Sequence, residues 1–266
     1  MGRPPRLVGD GGAFALNPAS AEEAWIELGS PRAGGVLIVG DHASNHVPPD
    51  IDLGIAPELL NTHIALDIGV AEVAAMLVAA YAVDVAVLGG VSRLVIDCNR
   101  EAHAPAVIPI SSDGHSIAGN AISHDAHQAR IARFYQPYHR HITEVIAEAR
   151  PAMIVSLHSF TSALSAHPNE ARPWDIGILY NEDDRLARVA IPAFAAFGLN
   201  VGDQQPYSGK LLNHTMNRHA ESAAIAYLGI EMRQDRVAEP SGQARFADMI
   251  GQTIGKCRHH LAQMGA

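Results

Sequence analysis

Two histidines and one glutamate stand where this sequence could most readily do chemistry. His42 and His158 each follow a short apolar run, and Glu231 lies within another. Two histidines and a carboxylate that leave one coordination position open are typical of catalytic zinc, which activates water and polarises a carbonyl group. A separate glutamate could accept the proton of that water. These residue types therefore point to metal-assisted hydrolysis.

A second polar cluster, Asn99 and Arg100, ends a further apolar run, and Arg93 lies within that run. Arginine forms paired hydrogen bonds with carboxylates and phosphates, so these side chains predict an anionic substrate. Asn217 and Arg218 recur at helical spacing with two histidines, and they line either the pocket or only a solvated helix face. The sequence leaves that choice open.

Short apolar runs rich in β-branched residues predict strands that are buried on both faces. Polar side chains at the carboxyl ends of such strands can meet at one rim of an open α/β sheet, where ligands bind. The run at 92–98 is predicted to be a strand that brings Asn99 and Arg100 to this rim. Further strands are predicted at 36–39, 84–88, 152–157, 175–180 and 227–233, helices at 22–28, 68–81, 123–150 with a break near Pro137, 183–197, 214–222 and 241–263, and a surface loop at 202–210.

Length and composition restrict the class of protein. At 266 residues an α/β chain often forms one domain, so residues 1–266 are predicted to be a single domain. A formal net charge of -9 argues against a nucleic-acid surface and favours small-molecule partners. No apolar run approaches a membrane span, and the N-terminus lacks the apolar segment of a signal peptide, so no membrane association and a cytoplasmic location are expected. With only two cysteines, any metal needs histidine and carboxylate ligands.

Several separated motifs, in the same order, resemble the N-formylglutamate amidohydrolase family. They are DHASNHVPP, LDIG, SRLVIDCNR, AGNAIS, SLHSF, NHTMNRHAE and YLGIEMRQD, and the similarity extends from about residue 35 to 255. This family is related to the zinc carboxypeptidases and to succinylglutamate desuccinylase and aspartoacylase. The resemblance implies a three-layer α/β/α sandwich around a mixed, mostly parallel sheet. It also implies hydrolysis of N-formyl-L-glutamate to formate and L-glutamate, in histidine degradation.

The resemblance implies a role for each candidate residue. His42 and His158 match the metal ligands of one divalent ion, Zn2+ in the relatives, and Glu231 matches the general base. The relatives have His-x-x-Glu after the first strand, but Asn45 occupies the glutamate position here. We expect Asp67 to supply the missing carboxylate and regard Asp41 as the second choice. The resemblance matches Asn99 and Arg100 to a pair that binds a substrate carboxylate, with Arg93 as a second clamp. Asn217 and Arg218 are further candidates for substrate binding because of their helical spacing.

Other interpretations of these residues remain open at this stage. Asp67 could instead be the N-cap of the helix predicted at 68–81, since aspartate is favoured there. Glu231 could form a structural ion pair with Arg218 or Arg233. The chain could also be a deacylase or carboxypeptidase-like hydrolase for another acyl group, or a metal-free binding protein of the same fold.

Overall fold

Seven strands form one mixed sheet in the computed structural model, which describes residues 24–80 and 83–265. The strands of this sheet are β1 (Trp25–Gly29), β2 (Val36–Gly40), β3 (Val85–Gly89), β6 (Met153–Phe160), β7 (Ile176–Leu179), β8 (Val201–Asp203) and β9 (Tyr227–Arg233), and a separate hairpin consists of β4 (Ser111–Ser112) and β5 (His115–Ser116). The helices are α1 (Val70–Ala79), α2 (His124–Arg130), α3 (Gln136–Ala149), α4 (Ala187–Ala195), α5 (His214–His219), α6 (Gln234–Val237) and α7 (Pro240–Met264). No helix in this described part is both long and apolar enough to cross a membrane.

The strand order across the sheet is β1-β3-β2-β6-β9-β7-β8. The four central strands β3, β2, β6 and β9 run parallel to one another. On one edge β1 is antiparallel to β3, and on the other β7 is antiparallel to β9 while β8 is parallel to β7. The predicted mixed, mostly parallel sheet is thus confirmed, and the carboxyl ends of the four central strands lie at one rim.

Both faces of the sheet are covered, which makes the fold the predicted three-layer sandwich. Ile38 of β2 belongs to an apolar cluster that includes residues of α1, α4 and α7. Leu37 and Val39 belong to a second cluster, on the other face, that includes residues of α3. Because successive side chains of a strand point to opposite faces, the unbroken apolar run of β2 supplies both cores.

The helix predicted at 22–28 is wrong over the part that the structure describes. Residues 22 and 23 lie outside the described residues. The segment from Trp25 to Gly29 is instead the edge strand β1, paired antiparallel with β3. Its burial is only partial over Trp25, Ile26 and Glu27. Aromatic and β-branched residues suit a half-buried strand, and pairing with a neighbouring strand decides the conformation of so short a segment.

The strand predicted at 92–98 is also wrong, because this segment forms a turn. The Ser92 hydroxyl donates to the Ala65 carbonyl oxygen at 2.8 Å and accepts from the Leu94 backbone N–H at 3.2 Å. The backbone N–H groups of Val95 and Ile96 both donate to the Ser92 carbonyl oxygen. The apolar side chains here are buried against the second cluster, so the run indicates burial and not strand geometry.

The predicted break near Pro137 is present as a change of helical pitch. A π-helical turn, Ile131–Tyr135, joins α2 to α3, and Pro137 lies in the first turn of α3. Proline lacks the N–H that would continue the α-helical ladder, so a wider turn before it is a physically reasonable junction. This junction brings Tyr135 and Tyr138 to the buried side of the helix.

A buried histidine pair joins α3 to α5. His139 Nε2 donates to the carbonyl oxygen of Cys98 at 3.0 Å, so its Nδ1 is an acceptor in the neutral ring. His219 Nε2 lies 2.9 Å from this Nδ1 and can donate to it. Burial lowers the pKa of His139 to about 3 and that of His219 to about 4. Both rings are therefore neutral in the folded protein near neutral pH.

We expect this pair to reduce the stability of the fold in acid. Because both folded pKa values lie below the ordinary 6.5, the contribution is complete above that pH and is lost as pH falls towards about 4. Each group adds a slope of up to about 1.4 kcal/mol per pH unit. His219→Gln, which keeps a donor near the Nε2 position, should lower the slope of unfolding free energy against pH by that amount in urea titrations. Parallel curves for the two proteins would contradict a neutral His219.

Candidate active site

His42 and His158 come together on neighbouring parallel strands. His42 lies two residues beyond β2, and His158 lies inside β6, which continues past the predicted strand end to Phe160. The two ring centroids are 5.0 Å apart. Both side chains are buried at the rim where the central strands end.

Asp67 joins the two histidines in a group whose side chains could hold a metal ion. One ligand atom from each of His42, Asp67 and His158 lies within 4.8 Å of the other two. Asp67 Oδ2 is 2.8 Å from His158 Nδ1 and 3.4 Å from His42 Nδ1. The structure thus brings together the two histidines and the carboxylate that the sequence favoured.

The alternative reading of Asp67 as a helix N-cap is wrong. Helix α1 begins at Val70, and its N-cap residue is Gly69, with a φ of 84°. A Cβ atom on Gly69 would lie 2.6 Å from the carbonyl oxygen of Val237, so glycine is required there on two grounds. Asp67 therefore precedes the helix start, and its carboxylate lies against the two histidines and Arg93.

Two further carboxylates hold the far nitrogens of the histidine rings. His42 Nε2 lies 2.7 Å from Asp97 Oδ1, and His158 Nε2 lies 3.2 Å from Asp41 Oδ2. A carboxylate on the second ring nitrogen fixes the tautomer and orientation of a metal-binding histidine. In this arrangement the Nδ1 atoms of both rings are presented to Asp67.

Asp41, the second choice for the missing ligand, acts here as such a supporting carboxylate. Its Oδ1 accepts hydrogen bonds from Tyr138 Oη at 3.0 Å and Thr215 Oγ1 at 2.8 Å. Burial is the largest single influence and raises the pKa of Asp41, but hydrogen bonds from His158 and Thr215, together with the charges of His158 and His42, outweigh it and lower that pKa to about 2. Asn45 lies outside the group, and its amide donates to Asn61 Oδ1 at 2.9 Å.

Two buried atoms at this site have no hydrogen-bond partner, and both are placed where a metal ion and a reacting water could bind. They are His42 Nδ1 and Glu231 Oε2. Buried polar atoms without a partner are rare and need a specific explanation. With Nε2 donating to Asp97, a neutral His42 offers the Nδ1 lone pair, which is the form that binds a metal. The residues present therefore fit a divalent metal ion.

Glu231 lies beside His158 in the sheet, and the two residues are register partners on β9 and β6. Burial raises the pKa of Glu231 to about 7. The ion pair considered for it with Arg218 or Arg233 is wrong for the described residues, because Arg233 pairs with Asp235 and Asp175 and Arg218 is exposed. A glutamate in this state can both accept and release a proton near neutral pH.

A cavity of about 130 Å³ contains the metal-binding group and Glu231. Arg93, Asn99 and Arg100, three of the residues predicted to bind a substrate, also line it. Asn217 and Arg218 do not line this cavity. They are exposed on α5, where the Asn217 side chain bonds to other asparagines.

Arg93, Asn99 and Arg100 differ in how many of their hydrogen-bonding groups are already paired within the protein. Arg93 donates to Asp67 Oδ1 at 3.1 Å and to Asp97 Oδ2 at 3.0 Å, so much of its charge is used inside the protein. Asn99 accepts from the Thr215 backbone N–H at 3.0 Å. Arg100 lies 3.9 Å from Asp97 and donates to a backbone carbonyl, which leaves most of its donors available.

Sequence reasoning missed Asp97, Thr215 and Tyr138. Asp97 had a usable signal, because a metal-binding histidine is commonly paired with a carboxylate and Asp97 is the acidic residue next to the Asn99 and Arg100 cluster. Thr215 and Tyr138 had none, since a hydroxyl in a helix carries no pattern that distinguishes a buried donor.

The α/β sandwich, with a histidine-aspartate group and a buried glutamate in one cavity, has the residue types of a hydrolytic metal site. Comparison with known proteins identifies the family. The chain belongs to the N-formylglutamate amidohydrolase family, whose model matches residues 34–238. It is therefore an amidohydrolase that acts on an amide bond, and the predicted family is confirmed.

Solved structures share this fold. A gene product from Agrobacterium tumefaciens is 30% identical, with a TM-score of 0.84 over 92% of this chain and 98% of that chain. An N-formylglutamate amidohydrolase from Ralstonia eutropha is 18% identical, with a TM-score of 0.66 over 90% of this chain and 98% of that chain, and it shows the same fold. No curated protein gives a significant match.

Proposed function

We propose that this chain is a zinc-dependent enzyme that hydrolyses N-formyl-L-glutamate to formate and L-glutamate. The observation that carries the proposal is the buried group of His42, Asp67 and His158 in one cavity with Glu231. Two of these residues keep a buried polar atom without a partner, as expected where a metal and a reacting water belong. Membership of the family supports the substrate class.

His42, Asp67 and His158 would hold the ion. Two imidazole nitrogens and a carboxylate oxygen are the donor set of catalytic zinc sites, which keep a position open for water or substrate. When bound, zinc supplies a Lewis acid that polarises the amide carbonyl and lowers the pKa of a bound water. Asp97 and Asp41 would keep both rings in the tautomer that offers Nδ1.

Glu231 would move the proton that hydrolysis requires. It would accept a proton from the attacking water and deliver it to the leaving amine nitrogen, so that formate and the free amino acid are released. A pKa raised by burial to about 7 suits both halves of this transfer. The unpaired Oε2 is the atom available for it.

Arg100 and Asn99 would bind a substrate carboxylate, because Arg100 lines the cavity with donors that no protein carboxylate fully occupies. Arg93 would mainly hold Asp67 and Asp97 in place. Asn217 and Arg218 have no role in the proposal, since they lie outside the cavity. The proposal also includes a single domain over residues 1–266 and a cytoplasmic role in histidine degradation.

A substrate panel tests this function. Zinc-loaded protein is incubated with N-formyl-L-glutamate, N-acetyl-L-glutamate and N-succinyl-L-glutamate, and the release of glutamate is measured. We expect the highest kcat/KM with the formyl compound. Faster hydrolysis of another acyl compound would identify a related deacylase. Tight ligand binding without hydrolysis by the fully loaded protein would identify a binding protein.

Asp67 and Asp41 should differ in their effects on metal binding. Asp41→Asn should weaken zinc affinity about 10- to 100-fold, the range typical of a carboxylate that orients a histidine ligand. Asp67→Asn should weaken it further, because a ligand is removed. Titration against a competing zinc indicator measures both. The reverse order would reassign the ligand to Asp41, and a large effect only in Asn45→Ala would assign it to that amide oxygen.

A further inference from the structure

Arg172 is a buried cation that has no anionic partner among the described residues. Its relative exposure is 7%, and its Nε atom is buried without a hydrogen bond. The guanidinium donates from NH1 to Tyr207 Oη at 2.9 Å and lies 5.1 Å from the centre of that ring. Burying a charge without a counter-charge is costly, so such a residue calls for an explanation.

Tyr207 connects Arg172 to the active site. It lines the same cavity as Arg93 and Glu231. Its hydroxyl oxygen already accepts from Arg172, and no acceptor for its own proton is found in the part of the chain that the structure describes. The Tyr207 hydroxyl is thus a hydrogen-bond donor at the cavity wall that has no acceptor among the described residues. The positive charge of Arg172 lies directly behind it.

A second arginine-tyrosine pair in the same protein reveals what is missing. Arg188 donates to Tyr180 Oη at 2.9 Å and lies 5.1 Å from the ring centre, as in the Arg172 pair. Here, however, Tyr180 Oη donates to Asp203 at 2.8 Å, and Arg188 also forms an ion pair with that carboxylate at 3.3 Å. The exposed pair is completed by a carboxylate, and the buried pair lacks one.

We propose that Tyr207 and Arg172 form a subsite for a second carboxylate of the substrate. The inference rests on the proposed hydrolysis of an N-acyl amino acid and deepens it, because a dicarboxylic substrate needs two anion sites. Arg100 would bind one carboxylate, and the Tyr207 hydroxyl, supported by Arg172, would bind the other. A neutral amide at that position would leave the charge of Arg172 unneutralised, so the subsite selects dicarboxylic over monocarboxylic N-acyl amino acids.

The test compares three substrates of nearly equal shape on the zinc-loaded enzyme. They are N-formyl-L-glutamate, its side-chain amide N-formyl-L-glutamine, and its α-amide N-formyl-L-isoglutamine. In Tyr207→Phe and Arg172→Met, kcat/KM for the dicarboxylic substrate should fall about 10- to 100-fold, mainly through KM, as for a lost hydrogen bond to a charged group. For one of the two amides, the one that lacks the carboxylate bound by Tyr207, kcat/KM should change little in these variants.

Arg100→Lys should give the complementary pattern. It should lower kcat/KM for the dicarboxylic substrate but change it little for the other amide. Tyr180→Phe and Arg188→Met are matched controls for removing an arginine-tyrosine pair, and they should leave all three substrates unchanged. Should Arg172→Met fail to fold, Tyr207→Phe still decides the matter, since it removes one hydroxyl group. Equal losses on all three substrates would overturn the subsite and assign the hydroxyl to the reacting amide or to structure.

Ligand binding separates failure of this inference from failure of the proposed reaction. Calorimetry compares glutarate with its monoamide on wild-type protein and on Tyr207→Phe. Wild-type protein should bind glutarate more tightly, and the variant should lose that preference. If no N-formyl compound is hydrolysed but this pattern holds, the subsite stands and the reaction is wrong. An unchanged preference in the variant overturns the subsite even in an active enzyme.

Discussion

Replacing His42 with alanine should remove the metal and the hydrolytic activity together. Its Nδ1 atom is buried without a hydrogen bond beside Asp67, while Nε2 is held by Asp97 at 2.7 Å. Asn45 does not replace this nitrogen, because its side-chain amide bonds to Asn61 instead. We expect purified protein to carry about one equivalent of zinc, and His42→Ala to carry almost none at the same zinc concentration. Elemental analysis and glutamate release measure the two effects on one sample.

His141→Ala is the matched control for this substitution. His141 also bonds to a carboxylate, Glu27, at 2.8 Å, but it stacks on Trp25 away from the cavity. It should keep the metal and the activity. In wild-type protein, chelation should abolish hydrolysis and added zinc should restore it. Activity that persists in a verified metal-free sample would exclude the metal mechanism, whatever the metal content of His42→Ala.

The sequence allowed the central part of this site to be predicted. A buried run such as β2 has few conformations available to it, and a polar residue directly after it must emerge at the rim of the sheet. This reasoning identified His42 and His158, Glu231 was identified within its own predicted strand, and the two strands β6 and β9 bring His158 and Glu231 into register. Asp67 was predicted by comparison with the spacing of related enzymes and not by its local sequence, which suggested a helix cap.

The position of one supporting residue, Asp97, was missed because it lies on a turn whose sequence resembles a strand. The segment from 92 to 98 has the apolar content of a strand, but the Ser92 hydroxyl and carbonyl bind the following backbone N–H groups and curl it. The turn, not a strand end, carries Asp97 to His42. Apolar content reports burial, and only tertiary hydrogen bonds distinguish the two conformations.

Helix α5 shows the same limit for a polar segment. Thr215 faces the site, where its hydroxyl donates to the Asp41 carboxylate and its backbone N–H donates to the Asn99 side-chain oxygen. Successive residues of an α-helix are about 100° apart, so Asn217 is turned by about 200° from Thr215 and faces solvent with Arg218. Sequence spacing correctly grouped these residues on one helix but could not tell which face is inward. Tyr207 was not identified from the sequence either, because it lies in a segment predicted to be a surface loop.

Replacing Glu231 with glutamine should leave a folded, metal-containing protein with a strongly reduced kcat. The substitution is nearly isosteric and removes the ability to accept a proton. Acid-base catalysis by one positioned group typically contributes about 10²- to 10⁴-fold, so kcat should fall by that order. Zinc content and the melting temperature should change little, because Glu231 forms no ion pair with the described residues and lies outside the metal-binding group.

Steady-state kinetics decide what kind of role has been removed. A fall in kcat/KM of similar size to the fall in kcat would mark a contribution made in the transition state. Glu221→Gln is the matched control, since this glutamate accepts hydrogen bonds from Tyr227 and backbone N–H groups outside the cavity. It should keep a normal kcat. A near-normal kcat in Glu231→Gln would show that another group moves the proton, whereas loss of zinc in that variant would make Glu231 a ligand. Only loss of turnover with metal and fold retained fits a buried carboxylate whose free oxygen is used for proton transfer.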